Sequence, residues 1–176
     1  MPLANLDEPA PGPPDGLEAP LPTPAEEPAL LESIRALVHG EPFAVLCTQA
    51  GGRPYASLIA FAFSPDLSAF TFATPVATRK YRLLLECDQV ALLVDNRARF
   101  PGDLMAVSAA TVTGQAGPLA PGPEFERWAA LLAARHPALE PFVHDPATAL
   151  FRVRAARYLH VSRFQEVRRW IPPSAG

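Results

Sequence analysis

Thr71-Phe72-Ala73-Thr74-Pro75-Val76-Ala77-Thr78-Arg79-Lys80-Tyr81 reads as a short strand, a tight turn and the first turn of a helix. Thr71, Phe72 and Thr74 fit a pleated, half-buried surface, and Pro75 cannot donate to a continuing ladder. Thr78 stands where a helix through Tyr81, Leu84 and Leu85 needs a side-chain acceptor for its first N–H groups. A strand ending in a capped helix aims free backbone N–H groups and the positive end of the helix dipole at one spot. Arg79 and Lys80 add two cations there, a fork and a point charge, which together suit a phosphate. A capped surface helix with solvated cations would use the same residues. Lys80 weighs against that reading: it is the only lysine in the chain, against fourteen arginines, so a compact ammonium is wanted at this position.

The composition bounds the rest. A chain of 176 residues that is 49% hydrophobic can bury one core and carry a tail. Net charge is −3 and the arginines are scattered, so there is no basic stripe for nucleic acid. Cys47 and Cys87 have neither zinc spacing nor a CxxC pattern and are expected to be buried thiols. No secretory segment and no long apolar run occur, so the expectation is a soluble cytoplasmic protein that does not enter membranes. Residues 1–22 form a Pro-rich arm, disordered or extended, since eight of the first 24 residues are proline. Residues 23–176 are expected to form a single domain.

From the arm onward, Thr23-Pro24-Ala25-Glu26 resembles a capping box, with a start near Glu27 equally compatible. Leu30, Leu31, Ile34, Leu37 and Val38 then recur at helical spacing up to Gly40. Phe43 to Gln49 alternates as a strand, Ala50-Gly51-Gly52 marks a hairpin, and Tyr55 to Phe63 returns as one strand. That return is almost wholly apolar, so both its faces are expected to be covered. Ser57 is its polar exception, and the hydroxyl either bonds a neighbour or faces a ligand. After Ser64-Pro65-Asp66 turns the chain, Ala69 to Thr74 completes a meander. The Thr78 helix ends near Glu86, and Gln89 to Asp95 is a buried strand. A loop leads to a strand from Ala106 to Ala116, in which Gly114 implies a bulge or a close backbone approach. Pro121 to Arg135 is a helix whose Trp128 lies on the apolar stripe, and Pro137 to His144 fits a short second helix. Two strands follow, Ala149 to Val153 and Ala156 to Val161. This succession predicts a mainly β fold with peripheral helices, a closed or split antiparallel barrel.

No hydrolytic constellation is present: GxSxG and HExxH are absent, and His39, His136, His144 and His160 are dispersed. No catalytic side chain is assigned and no metal-ligand set is found. An enzyme built this way would leave the hard chemistry to a cofactor.

Gly52-Arg53-Pro54-Tyr55-Ala56-Ser57, Phe72-Ala73-Thr74, Thr78-Arg79-Lys80-Tyr81, Val90 to Arg97 and Gly114, taken in this order, resemble the pyridoxamine 5′-phosphate oxidase-related family of FMN-binding split barrels. The resemblance implies an antiparallel split β-barrel and a homodimer with two FMN sites at the subunit interface. It implies that Thr78, Arg79 and Lys80 hold the FMN phosphate, and that Ser57, Leu58 and Ile59 line the flavin. Ala73 and Thr74 would touch the ring or the ribityl chain, Asn96 and Arg97 match a pattern of one branch, and Trp170 would approach the flavin, from its own chain or the other. The chain departs from the oxidase proper at Ser57, where the oxidase has arginine, and at Ser108-Ala109, where it has Arg-Gln. It also lacks the C-terminal arginine-bearing substrate motif, so a substrate other than pyridoxamine phosphate is expected. The primary expectation is an FMN-dependent oxidoreductase acting on a small molecule. The alternatives are a haem-binding or haem-degrading relative using His160 or His144 as axial ligand, and a sensing module that holds FMN, or the deazaflavin F420, without turnover.

Overall fold

The computed structural model describes residues 19–173. Four helices, α1 (Glu27–Gly40), α2 (Arg79–Glu86), α3 (Pro123–Arg135) and α4 (Glu140–Val143), surround eight strands. The strands are β1 (Phe43–Ala50), β2 (Arg53–Ala60), β3 (Ala62–Phe63), β4 (Ala69–Pro75), β5 (Gln89–Asp95), β6 (Ala109–Pro118), β7 (Thr148–Ser162) and β8 (Glu166–Trp170). They pair antiparallel in the order β2-β1-β5-β6-β7-β4-β3, with β8 added on β7. The sheet curls until its edge strand β2 comes beside β4, giving an antiparallel split β-barrel. Most of the expected Pro-rich arm, residues 1–18, lies outside the described residues. Its last part runs past β8, where the Arg169 N–H donates to the Pro20 carbonyl at 3.0 Å.

The barrel is filled by the inward faces of the strands, including Leu46, Phe70, Phe72, Leu92, Val112, Phe151 and Tyr158, with Phe61 between β2 and β3, and α1 closes it with Ile34 and Val38. A second apolar layer, with Trp128, Leu132, Val143 and Leu150, fixes α3 and α4 to the outer face of β4 and β7. Both faces of β4 are therefore covered, which its continuous apolar run requires. Arg135 ties the layers together. Its guanidinium donates to the Val38 and Glu41 carbonyls, both at 2.7 Å, at the open end of α1, and lies over the rings of Phe61 and Phe63.

The hairpin expected at Gly51-Gly52 is present. Both glycines have positive φ (55° and 73°), the backbone that a two-residue turn between twisted strands demands. Gly114 makes the close approach its position implied: a Cβ there would lie 2.1 Å from the Arg154 carbonyl oxygen. The pairing of β6 and β7 shifts register between Thr113 and Gly114, and Ala156 is the residue left over on β7.

Several expectations need correction. The return strand read as Tyr55 to Phe63 is two strands, because the chain leaves β1 at Ala60 and pairs with β4 from Ala62. β6 starts at Ala109, since residues 103–107 are held in turns around the Asp103 carboxylate. The two strands drawn from Ala149 to Val161 are one bulged strand, and the C-terminal tail supplies a further strand, β8. The outer face of β1 and β2 is not covered: Leu58 is 66% exposed and Phe43 51%. Cys47 lies on that same face and is exposed rather than buried, and Cys87 is half-buried. Phe43 at one end of this face stacks on His136 at the end of α3, but Cys47 and Leu58 stay exposed, so apolar character there does not translate into burial within one chain.

Gly114→Ala should lower stability by about 3 kcal/mol, because the backbone of β7 cannot retreat without breaking its other pairings. Denaturant unfolding of the variant against the native chain measures it.

Candidate functional site

The end of β4 and the start of α2 are built as one unit. Pro75 ends the strand, and the Val76 N–H donates to the Ala147 carbonyl at 2.8 Å, which pins the turn to the start of β7. Thr78 has extended backbone, and its Oγ1 accepts from the Tyr81 N–H at 3.2 Å, so the expected cap is formed. The same hydroxyl donates to the Pro75 carbonyl at 2.9 Å and lies 3.0 Å from Thr74 Oγ1, which must then be the donor to it. One donor and two acceptor sites are all that a threonine hydroxyl offers. Thr78 is thus fully used in shaping the turn, and its side chain has no hydrogen-bonding capacity left for a phosphate. What remains free for an anion are the N–H groups of Arg79 and Lys80, which have no carbonyl partner within the helix.

Arg79 is exposed and lies over the ring of Tyr55, 5.0 Å from its centroid. This contact joins α2 to the edge strand β2. Lys80 is half-buried, burial pushes its ammonium below the usual lysine range, and no carboxylate among the described residues pairs with it. Ser57 lies two residues along β2 from Tyr55 and so on the same face. Its Oγ is buried and has no hydrogen-bond partner.

The remaining expected site residues fall differently. Ile59 is inside the barrel, while Leu58 points to the open outer face, so the stretch Ser57 to Ile59 can offer one face only its backbone in common. Thr74 is buried beside Thr78, whereas Ala73 packs under α3. Asn96 and Arg97 follow β5 at the end away from α2, about 20 Å along the strand. The Asn96 side-chain carbonyl accepts from the Ser108 N–H at 2.7 Å, and Arg97 pairs with Asp95 at 3.2 Å. Trp170 is only 4% exposed; its ring packs on Tyr158 and its N–H donates to Glu27 at 3.2 Å. Within one chain, then, Thr74, Thr78, Arg79 and Lys80 come together, Ser57 joins from β2 through Tyr55, and Asn96, Arg97 and Trp170 stand apart. Tyr55 is the residue that the sequence reading did not single out. Its signal was the two-residue alternation that puts it on the face of Ser57.

The histidines are engaged in the fold. His160 is 5% exposed, its Nε2 is 2.8 Å from Ser108 Oγ, and burial pushes its imidazole below the usual range. His136 bonds the Phe61 carbonyl through Nε2 at 3.0 Å, and His39 meets the edge of Phe63. His144 is exposed at the end of α4 beside Phe125. Among the described residues, no helix is long and apolar enough to cross a membrane.

Comparison with known proteins accords with this architecture. The family model described as pyridoxamine 5′-phosphate oxidase matches residues 30–162. No curated protein sequence matches the chain. Among solved structures, the haem-binding protein of Mycobacterium smegmatis is similar with a TM-score of 0.71 and 17% identity, over 85% of this chain and 58% of that one. This chain thus spans little more than half of that relative. HutZ, the haem storage protein of Vibrio cholerae, gives 0.63 and 18% identity, over 70% of this chain and 88% of its own. A Clostridium acetobutylicum protein related to general stress protein 26, of the pyridoxine phosphate oxidase family, gives 0.62 and 17% identity, over 82% and 95%. At such identities the likeness speaks for the fold. With the family match covering most of the chain and the same split barrel around it, this protein belongs to the pyridoxamine 5′-phosphate oxidase-related family.

Proposed function

We propose that the chain is a homodimeric flavoprotein that takes FMN by its phosphate at the mouth of α2 and acts as an oxidoreductase on a small molecule. The observation that carries this reading is Lys80, a half-buried cation with no carboxylate partner among the described residues. Burying an unpaired charge is costly, and an incoming anion offsets that cost. Arg79, held over Tyr55, and the first N–H groups of α2 complete a site for a phosphate. The orphaned Ser57 hydroxyl on the neighbouring edge strand gives the rest of the cofactor a polar contact. FMN, when bound, supplies the electron transfer; the chain supplies position and electrostatics. Because the chain lacks the C-terminal arginine-bearing substrate motif of the oxidase proper, the substrate is one other than pyridoxamine phosphate.

The dimer is part of the same reading. Phe43, Cys47 and Leu58 lie exposed on one face of β1 and β2, in register with Leu93 and Ala91 of β5. A continuous apolar face without a cover on its own chain suits a second copy. A second copy also offers a way to bring Asn96 and Arg97, remote from α2 within one chain, to the cofactor.

A second reading is haem binding. It is favoured by the similarity to the Mycobacterium smegmatis and Vibrio cholerae proteins, which are named for binding and storing haem. His160 is held by Ser108, so exposed His144 is the axial candidate.

The protein should purify yellow, and Lys80→Ala should weaken FMN by about tenfold or more while leaving riboflavin, which lacks the phosphate, nearly unchanged. Tyr55→Leu should act in the same direction, and Tyr55→Phe should not. Burial already depresses the Lys80 ammonium, so FMN affinity should begin to fall at a pH below the ordinary lysine value of 10.5. Fluorescence titration at a series of pH values reads all of this. For the interface, Leu58→Glu should turn a dimer into monomers in light scattering. A native chain that is already monomeric at micromolar concentration would count against that face. If haem is the ligand instead, added haemin gives a sharp Soret band that His144→Ala abolishes, and Lys80→Ala has no effect on it.

A further inference from the structure

We infer that the chain carries a second small-molecule site, remote from α2, that takes an organic monocarboxylate on an apolar body. A cavity of about 680 Å³ opens between the β3–β4 turn, β7 and α3. That volume is in the range of sites that enclose a small organic ligand. One wall is apolar: Pro65, Ala69, Trp128 and Leu131. The cationic groups that line it are Arg127, beside Trp128 on α3, and Arg152 and Arg154 on β7.

The charges around it do not balance. Glu124 serves two of the arginines: it bonds Arg152 and lies 4.0 Å from Arg127. Asp66 is spent within its own turn, where Oδ1 accepts from Ser64 Oγ at 2.5 Å, Ser68 Oγ at 2.8 Å and the Ser68 N–H at 3.0 Å. Arg154 has a neutral partner, the Gln115 side-chain carbonyl at 3.4 Å, and no carboxylate among the described residues pairs with it. With Arg35, which donates to the Pro65 carbonyl at 2.5 Å, the guanidiniums around the cavity outnumber Glu124 and Asp66, and Arg154 is the lining guanidinium that no carboxylate among the described residues pairs with. The planar fork of Arg154 matches the two oxygens of a carboxylate.

A further unsatisfied group lies in the same wall. Trp128 is 5% exposed, and its indole N–H, buried, has no acceptor. Its ring, with the Arg127 guanidinium 5.6 Å from the centroid, supplies apolar surface beside the cations. The register places the site well away from the α2 mouth. Ala69 pairs with Arg154 at one end of β4 and Thr74 with Ala149 at the other, about 17 Å along the strand.

The test uses the full chain, labelled with nitrogen-15, titrated with 2-naphthoate and separately with its neutral isostere 2-naphthamide. The chain has two tryptophans, so two indole N–H signals are followed, and Trp128→Phe assigns them. The Trp128 signal should shift saturably with naphthoate while that of Trp170 stays still. Naphthamide should bind about tenfold more weakly or worse, and Arg154→Ala should weaken naphthoate by a similar factor. Lys80→Ala should leave the titration unchanged, which separates this site from the FMN reading. The inference is overturned if naphthoate gives no saturable shift at Trp128, if the acid and the amide bind alike to the native chain, or if Arg154→Ala leaves naphthoate binding intact.

Discussion

β6 and β7 lie side by side along their whole length because Gly114 has no side chain where the Arg154 carbonyl passes. That contact accompanies a change of phase in β7. Before it, the residues facing the barrel are odd-numbered, Phe151 and Val153; beyond Ala156 they are even-numbered, Tyr158 and His160. In a strand of strict period two the second half would turn its polar side inward. The extra residue restores the inward face, and the tight passage at Gly114 is the geometry that lets the bulge close. Three strands are held directly by it, since β7 pairs with β6, β4 and β8.

The α2 mouth inherits its rigidity from the same strand. β4 is held along β7 from Ala69 to Pro75, with the Thr71 hydroxyl bonded to the Phe151 carbonyl at 2.9 Å. The turn after it is pinned where β7 begins, and Tyr81 meets Phe151 edge-on, so the first turn of α2 packs on the core it follows. Thr74 and Thr78 then bond each other. An anion arriving at Arg79 and Lys80 meets donors whose positions are set by the barrel, so little ordering remains to be done on binding.

What the sequence displayed and what it hid follow from the range of the forces involved. The Thr78 cap, the Gly51-Gly52 hairpin and the demand for glycine at position 114 are local: backbone sterics and hydrogen bonds within a few residues decide them. The phase change in β7 was also visible, as an interruption between two alternating runs, but whether the chain continues through such an interruption depends on its partner strand. β8 and the break at Phe61 were hidden for that reason. The tail Glu166–Trp170 becomes a strand because β7 offers an edge to it, and the apolar run through Phe61 is divided because β1 stops accepting it and β4 begins. Exposure of Cys47 and Leu58 could not be read from apolar character alone, since hydrophobicity says that a face is covered without saying by which chain. In the site, the adjacent residues Arg79 and Lys80 were legible. Tyr55 was not, because its contact with Arg79 spans two turns of the chain and three strands.

The two cations at the α2 mouth show why the half-buried one matters more. Arg79 is exposed, delocalised and already in contact with an aromatic face, so water and Tyr55 satisfy it at small cost. Lys80 is half-buried with no ring beside it among the described residues, and a compact ammonium holds its hydration more tightly than a guanidinium does. Its partial burial therefore destabilises the free fold a little, and that penalty is relieved only by an acceptor of negative charge. An unpaired ammonium and two free backbone N–H groups give the start of α2 three donors without an acceptor. A structural role for Lys80 would be better served by the arginine used at the other basic positions of the chain. A point charge that shifts its proton affinity with burial is better suited to a position that must accept and release an anion.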